Sequence, residues 1–334
     1  MSTTVSVILP IYNRRDSLRE SARSVLDQSV RELELIVVDD ASSEDIAGAV
    51  RDLDDPRVRY VRHDRNRGAA AARNTGLARA EGRFIAFQDS DDLWLPGKLE
   101  RHLRLFETAP EGVGAVVGGK ILYGRDAARN FGEGKVTYAP DAGRWLTLEE
   151  DQVRRSLIEN RVGLQHALFR RDCLPGTDWF DPAAKANNDW EFTVRLVQRT
   201  RVLEDPAPVV VAFLSPDSIS RSFRKKAIGM LRIHRKNRAV FARYPEEHGL
   251  FLYQLGKTLR RAGHPRAGLS CLARSFHVRP RNLLTAVDST IRGAVRRAGG
   301  GGCAVCRARL DPVVEHAGHP GDEQQKTREG RRGQ

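Results

Sequence analysis

The chain has 334 residues, enough for one large domain with an appendage or for two small domains. No stretch approaches the ~20 apolar residues of a membrane-spanning helix, and four scattered cysteines do not make a disulfide framework, which excludes an integral membrane protein and a disulfide-stapled scaffold. The net charge of +13 is uneven: residues 221–334 carry 25 Lys and Arg against 8 Asp and Glu, whereas residues 1–220 carry 31 against 35. A near-neutral region is thus followed by a strongly basic one, which points either to an anionic partner or to an arginine-rich solvated surface. Met1 to Pro10 lacks a basic segment followed by an apolar run, so no secretory signal is expected, and the few cysteines suit a reducing cytoplasm.

Val5 to Leu9 reads as a short buried strand closed by Pro10, and Ser17 to Gln28 carries Leu18, Ala22, Val25 and Leu26 at helical spacing. Leu33 to Val38 is a second strand that runs into Asp39-Asp40, with Ser42 and Ser43 as expected caps of a helix reaching about Leu53. Val58–Val61 is a third strand, Gly68–Ala80 an alanine-rich helix, and Arg83–Phe87 a fourth strand that ends on Asp89-Ser90-Asp91-Asp92. Pro96 opens a helix to about Thr108. Val113–Val117 and Ala167–Phe169 suit strands, Phe131–Pro140 reads as loop, Trp190–Gln198 as helix and Pro208–Leu214 as a last strand. Beyond Ser222 the pattern is helical, with breaks near Pro245, Gly263-His264-Pro265 and Pro280. Gly299–Gly302 then opens a polar stretch that reads as a disordered tail. The alternation predicts an α/β fold with a mostly parallel sheet covered on both faces, and in such sheets ligands bind beyond the carboxyl ends of the strands, where both acidic clusters fall.

Carboxylates beside an anionic nucleotide make sense when a divalent cation lies between them, since Mg²⁺ or Mn²⁺ takes oxygen ligands and bridges phosphates. Asp89, Asp91 and Asp92 offer that donor set, although Asp and Ser also make ordinary capped turns. Asp39-Asp40 could equally complement a helix dipole. The series Val7–Asn13, Ser24–Gln28, Glu34–Ser42, Asn66–Asn74 and Phe87–Asp92 occurs in an order and spacing that closely resembles family 2 glycosyltransferases of the GT-A fold. His166–Arg170, Trp179-Phe180-Asp181 and Asn188–Glu191 are similar to that family's acceptor half. The resemblance ends near Arg221.

The resemblance implies a Rossmann-like catalytic domain over residues 1–220, with a nucleotide-binding half (1–112) and an acceptor half (113–220), followed by a basic helical extension (221–298) and the tail (299–334). It implies that Pro10, Tyr12 and Asp40, with Asp39 as helper, hold the base and ribose of a nucleotide-sugar donor, UDP being the first expectation. Arg73 would lie near the nucleotide or its phosphates. Asp89 and Asp91 match the family's Asp-x-Asp, with Asp91 the leading ligand of Mn²⁺ or Mg²⁺ and Asp92 close behind. Asp189 matches the general base that deprotonates the acceptor hydroxyl in an inverting reaction, with Glu191 as fallback. A helix N-cap or N1 carboxylate is the structural alternative for Asp189. The residue before it, Asn188, departs from the acid usual there, which bears on acceptor recognition.

The Gln-x-x-Arg-Trp motif of processive synthases is absent: Arg144-Trp145 lacks the glutamine. The glycine-rich loop of sugar nucleotidyltransferases is absent too. A non-processive transferase acting on a saccharide or lipid-linked acceptor in cell-envelope polysaccharide synthesis is therefore expected, cytoplasmic and in peripheral contact with the inner face of the membrane. Arg221–Arg243 interleaves basic residues with Ile228, Met230, Leu231, Ile233, Val240 and Phe241, which suits either an anionic membrane surface or packing on the catalytic domain. No nucleic-acid reading element is present. Cys303, Cys306, His316 and His319 have the residue types of a zinc site but not the spacing or surroundings of a folded finger. Two competing readings are a sugar-nucleotide-binding protein without catalysis and a membrane- or polyanion-binding adaptor that acts through the basic region.

Overall fold

The computed structural model describes residues 3–124, 134–140, 143–184, 186–214 and 222–282. The zinc-type residues and the tail expected from 299 onward lie outside the described residues.

Strands β1 (Val5–Ile11), β2 (Leu33–Asp39), β3 (Val58–Arg62) and β4 (Phe84–Phe87) form one parallel block in the order β3-β2-β1-β4. Helices α1 (Arg15–Leu26), α2 (Ile46–Arg51) and α3 (Ala69–Leu77) make the crossovers. The pleat explains the near-continuous apolar runs. Val5, Val7, Leu9 and Ile11 join one cluster with Leu18, Val25 and Leu99, while Ile8, Ile36 and Val38 join another on the opposite face with Ala70, Ala72 and Leu77. Both faces of the sheet are thus buried, as a parallel sheet requires.

The second half is mixed. Strand β5 (Leu93–Trp94) and helix α4 (Lys98–Thr108) precede β6 (Val113–Gly124), β7 (Val136–Ala139), α5 (Gln152–Ser156), a 3-10 turn (Leu164–His166) and β8 (Ala167–Arg170). Helix α6 (Asn188–Leu196) and β9 (Arg201–Leu214) complete the sheet. Strand β8 pairs antiparallel with both β4 and β6, β6 and β9 are parallel, and β5 and β7 are antiparallel additions. Strands β1, β2, β3, β4, β6 and β9 therefore run one way, and the mostly parallel α/β expectation holds.

Three local expectations change. Helix α2 is capped by Asp45, whose carboxylate accepts the Gly48 N–H at 2.8 Å, whereas Ser42 and Ser43 turn back to bond Asn13. The segment read as loop up to Pro140 contains β7, whose exposed Val136 and Tyr138 hide no apolar face and so carried little strand signal. Strand β5 is too short to show a period.

Helices α7 (Phe223–Lys236), α8 (Arg238–Arg243), α9 (Pro245–Arg261) and α10 (Pro265–Val278) follow. Pro245 and Pro265, expected as breaks, open α9 and α10, where a missing N–H costs nothing. Ala227, Met230, Ile233, Val240 and Phe241 pack with Trp190 and Val194 of α6 in a third cluster, so the packing alternative for this apolar face is the observed one. Arg232 and Lys236 fix α7 to Asp181 at 2.6 and 2.7 Å. Burial would raise the Asp181 carboxyl, but these two cations hold it down at about 2.

Gly229 is the point of closest approach: a Cβ there would stand 2.1 Å from the Ala186 carbonyl oxygen, in the turn that leads into α6. Gly229→Ala should therefore destabilise the protein by about 1–3 kcal/mol in chemical denaturation, because backbone must move to admit the methyl.

Candidate active site

Parallel pairing places the carboxyl ends of β1, β2 and β4 along one edge; in register, Ile11 lies beside Asp39. Tyr12 follows β1 and is 48% exposed, while Pro10 is half-buried. Asp39 and Asp40 are buried and turned toward the chain. Asp39 accepts from the Ser42 N–H at 2.8 Å, the Tyr60 hydroxyl at 2.7 Å and Arg62 at 2.8 Å. Asp40 bonds His63 Nδ1 at 2.7 Å and accepts from the N–H groups of Arg67 at 2.8 Å and Gly68 at 2.6 Å; His63 Nε2 reaches Thr75 Oγ1 at 2.9 Å. Asp40 therefore serves the N-terminus of α3 rather than that of α2. The pair expected to hold base and ribose also bonds the loops at this edge of the sheet.

The turn after β4 is held from behind. Gln88 donates to Asp92 O at 2.6 Å and Ser21 Oγ at 2.9 Å, and Ser21 Oγ donates to Asp89 O at 3.0 Å. Arg73 donates to Asp89 Oδ1 at 2.8 Å, with its guanidinium 5.7 Å from the Phe180 ring centroid. Asp91 is partly exposed, 4.0 Å from Arg14. Asp92 is buried and accepts the Phe213 N–H at 3.0 Å. Burial, then the charges of Asp89 and Asp91, pushes its carboxyl well above the usual range. A cavity of about 240 Å³ adjoins the turn, lined by Asp16, Ser17, Glu20, Asp91, Asp92, Leu93 and Phe213.

Asp189 sits in the first turn of α6, after Asn187 in the left-handed conformation (φ 56°). Its Oδ1 accepts the Trp190 N–H at 2.9 Å and its Oδ2 accepts Asn160 Nδ2 at 2.8 Å. Asn160 is itself oriented by the Thr193 hydroxyl at 3.0 Å. Burial raises the Asp189 carboxyl; the Trp190 N–H and the charges of Arg73 and Lys120 oppose that rise, and Asp89 adds to it. Residues from α3, the turn after β4, β6 and α6 thus act on one another within one centre. Glu191, the fallback base, is fully buried and bound by Arg195 at 2.9 Å and Lys236 at 3.3 Å, which removes it from that role.

Three members escaped the sequence reading. Lys120 on β6 feels Asp189, Asp92 and Asp89, while burial lowers its ammonium below the ordinary value. A lysine inside the apolar run Val113–Leu122 was the available signal. Lys98 is buried, donates to Gln165 O at 2.7 Å and lies 3.5 Å from the Trp94 ring centroid. Asn160 gave no signal, since an isolated amide marks nothing in one sequence.

The site fits a divalent cation of the Mg²⁺ or Mn²⁺ kind. Its donors are all carboxylate oxygens, and the partly exposed Asp89 and Asp91 crowd the buried Asp92 with negative charge. No group of three or more His, Cys, Asp or Glu poised to hold a metal occurs among the described residues. That is compatible with these ions, which take one or two carboxylates and complete their shell with phosphate and water. Because Arg73 favours the ionised form of Asp189, Arg73→Met should move the Asp189 titration midpoint upward in carboxyl ¹³C NMR.

Residues 6–163 match the family model described as Glycosyl transferase family 2. WcaA of Escherichia coli K12, a glycosyl transferase assigned to colanic acid biosynthesis, is 30% identical over 263 residues, covering 75% of this chain and 88% of WcaA. WfgD of Escherichia coli, a UDP-Glc:α-D-GlcNAc-diphosphoundecaprenol β-1,3-glucosyltransferase, is 44% identical over 101 residues, which is 30% of this chain and 40% of that protein's length. Among solved structures, the mannosyltransferase PcManGT of Pyrobaculum calidifontis, in complex with GDP-Man and Mn²⁺, superposes with a TM-score of 0.56 at 19% identity, covering 87% of this chain and 81% of that one. The fold is therefore that of a GT-A glycosyltransferase, and the chain belongs to the family 2 glycosyltransferases.

Proposed function

We propose that this chain transfers a single sugar from a nucleoside-diphosphate donor to a hydroxyl of a saccharide or lipid-linked acceptor, with inversion, in the synthesis of a cell-envelope polysaccharide. The observation that carries this reading is the convergence of Asp189 with the Asp89–Asp92 turn, Arg73 and Lys120, drawn from four elements far apart in sequence. The names of WfgD, with its UDP-sugar donor and lipid-diphosphate acceptor, and of WcaA support the substrate class.

In this reading the exposed Tyr12 ring covers the base, on a floor kept rigid by Asp39 and Asp40. Asp91, with Asp89 beside it, holds Mn²⁺ or Mg²⁺, which when bound offsets charge on the departing diphosphate. Arg73 keeps Asp89 in place and adds positive charge. Asp189 accepts the proton of the attacking hydroxyl, and the bond from Asn160 aims its carboxylate. Burial sets its proton affinity above that of a solvated carboxylate, which makes it a stronger base. No covalent enzyme intermediate is needed: the acceptor oxygen bonds the anomeric carbon as the diphosphate oxygen leaves.

Two measurements test this. Titration calorimetry of UDP, GDP and dTDP with and without Mn²⁺ should give metal-dependent binding of one nucleotide, abolished by Asp91→Ala; no binding of any nucleotide to the folded protein would refute the reading. Asp189→Asn should keep that binding and lower turnover about 10²–10⁴-fold. Wild-type turnover in that variant would refute the base assignment.

A further inference from the structure

Helix α7 has two apolar faces, and the protein interior uses one of them. Ala227, Met230 and Ile233 are buried against Trp190, Val194 and Phe251. Arg224, Ile228, Leu231 and Arg235 follow one another at spacings of four, three and four, which places them on a single stripe of the helix surface. All four are exposed, Ile228 at 36% and Leu231 at 44%. A substantial part of both apolar side chains is left facing solvent.

The segment that carries the stripe has one sign of charge. From Phe223 to Arg243 there are eight Lys and Arg and no Asp or Glu. Asp181 binds Arg232 and Lys236, which sit to one side of the stripe, and Glu191 also takes Lys236. At the N-terminal end, the exposed Phe223 ring lies between Lys226 at 5.7 Å and Arg261 of α9 at 5.2 Å. An apolar pair flanked along the helix by arginines, with an aromatic ring held among cations at one end, is the chemistry of an interfacial helix on an anionic bilayer. A soluble polyanion would use the charges and leave Ile228 and Leu231 without a role.

We propose that the Arg224–Ile228–Leu231–Arg235 face of α7 seats this protein on an anionic lipid surface. Ile228 and Leu231 enter the boundary between headgroups and acyl chains, and Arg224 and Arg235 pair with lipid phosphates. On its inner side the same helix touches, through Gly229, the turn Ala186-Asn187 that introduces Asp189. If the proposed function holds, on which this last step rests, the base lies behind the membrane-facing helix, and the lipid-linked acceptor is met where it is anchored.

The test is co-sedimentation of the full chain with vesicles of phosphatidylcholine, or of equal parts phosphatidylcholine and phosphatidylglycerol, compared among three proteins. The wild type should bind the mixed vesicles and not the neutral ones, and rising salt should weaken that binding. Ile228→Ser/Leu231→Ser, which keeps every charge, and Arg224→Gln/Arg235→Gln, which keeps the apolar pair, should each lower the partition coefficient about tenfold or more. Both substitutions are at exposed positions, and nucleotide titration on the same samples checks that they are folded. If the serine variant binds like the wild type, the apolar pair does not insert, and the contact is one of charge alone, open to any polyanion; that result overturns the proposal. If both variants bind like the wild type, another part of the chain holds the membrane, and the proposal is equally overturned. Vesicle binding needs no nucleotide, so its loss beside intact nucleotide binding would leave the proposed function standing.

Discussion

Asp89, Asp91, Asp92 and Asp189 act on one another at the carboxyl edge of the sheet, and in that half-buried setting their negative charges repel. Each is answered separately. Arg73 holds Asp89, Arg14 lies near Asp91, the Phe213 N–H serves Asp92, and Asn160 with the Trp190 N–H serves Asp189. Lys120 feels three of the four. These partners come from α3, the loop after β1, β9, the segment before the 3-10 turn, α6 and β6. Compensation of one charge cluster thus ties together elements that also share an apolar core, among them Ala72 of α3, Val117 of β6, Val162, Phe192 of α6 and Val202 of β9. Burying charge is costly unless it is paired, so a sequence that keeps four carboxylates here must keep their partners as well.

Behind this edge lies a second polar group. Lys98, His102 and His166 are buried, and burial lowers the proton affinity of all three, with neighbouring positive charge adding to the effect on the histidines. His166 is fixed on Gly118 O at 2.6 Å, and Gly118 in turn leaves room for His102, whose Nε2 would lie 3.1 Å from a Cβ there. Kept neutral, the two rings add no positive charge next to Lys98 and Lys120.

The parallel half of the fold was legible because β1, β2 and β4 are buried on both faces and ended by turn residues. The acidic clusters were legible because polar residues at the ends of such strands stand out. What those carboxylates touch was not. Asp39 and Asp40 have the composition of an open binding pair, yet their partners Tyr60 and Arg62 come from β3, and His63 and the Arg67 and Gly68 N–H groups from the loop after it, which only the folded chain brings near. Asp189 could be matched by its neighbours, but its orientation depends on Asn160, an unremarkable residue of an irregular segment. Strand β7 was missed because its side chains face outward, and Lys120 because one charge in an apolar run reads as noise until the strand is placed beside three carboxylates.

The junction between the halves has a consequence for how the molecule is made. Strands β1 to β4 pair among themselves, so the parallel block is complete in the chain by Phe87. Strand β4 then waits for β8, pairing Ile85 with Phe169, and β6 waits for β9, pairing Val117 with Glu204. Closing such long loops slows folding, whereas synthesis delivers the chain N-terminus first at roughly 5–20 residues per second. For several seconds of translation the apolar strand Phe84–Phe87 is thus an open sheet edge, able to recruit another strand. Arrival of β8 seals that seam, and Asp189 follows it along the chain.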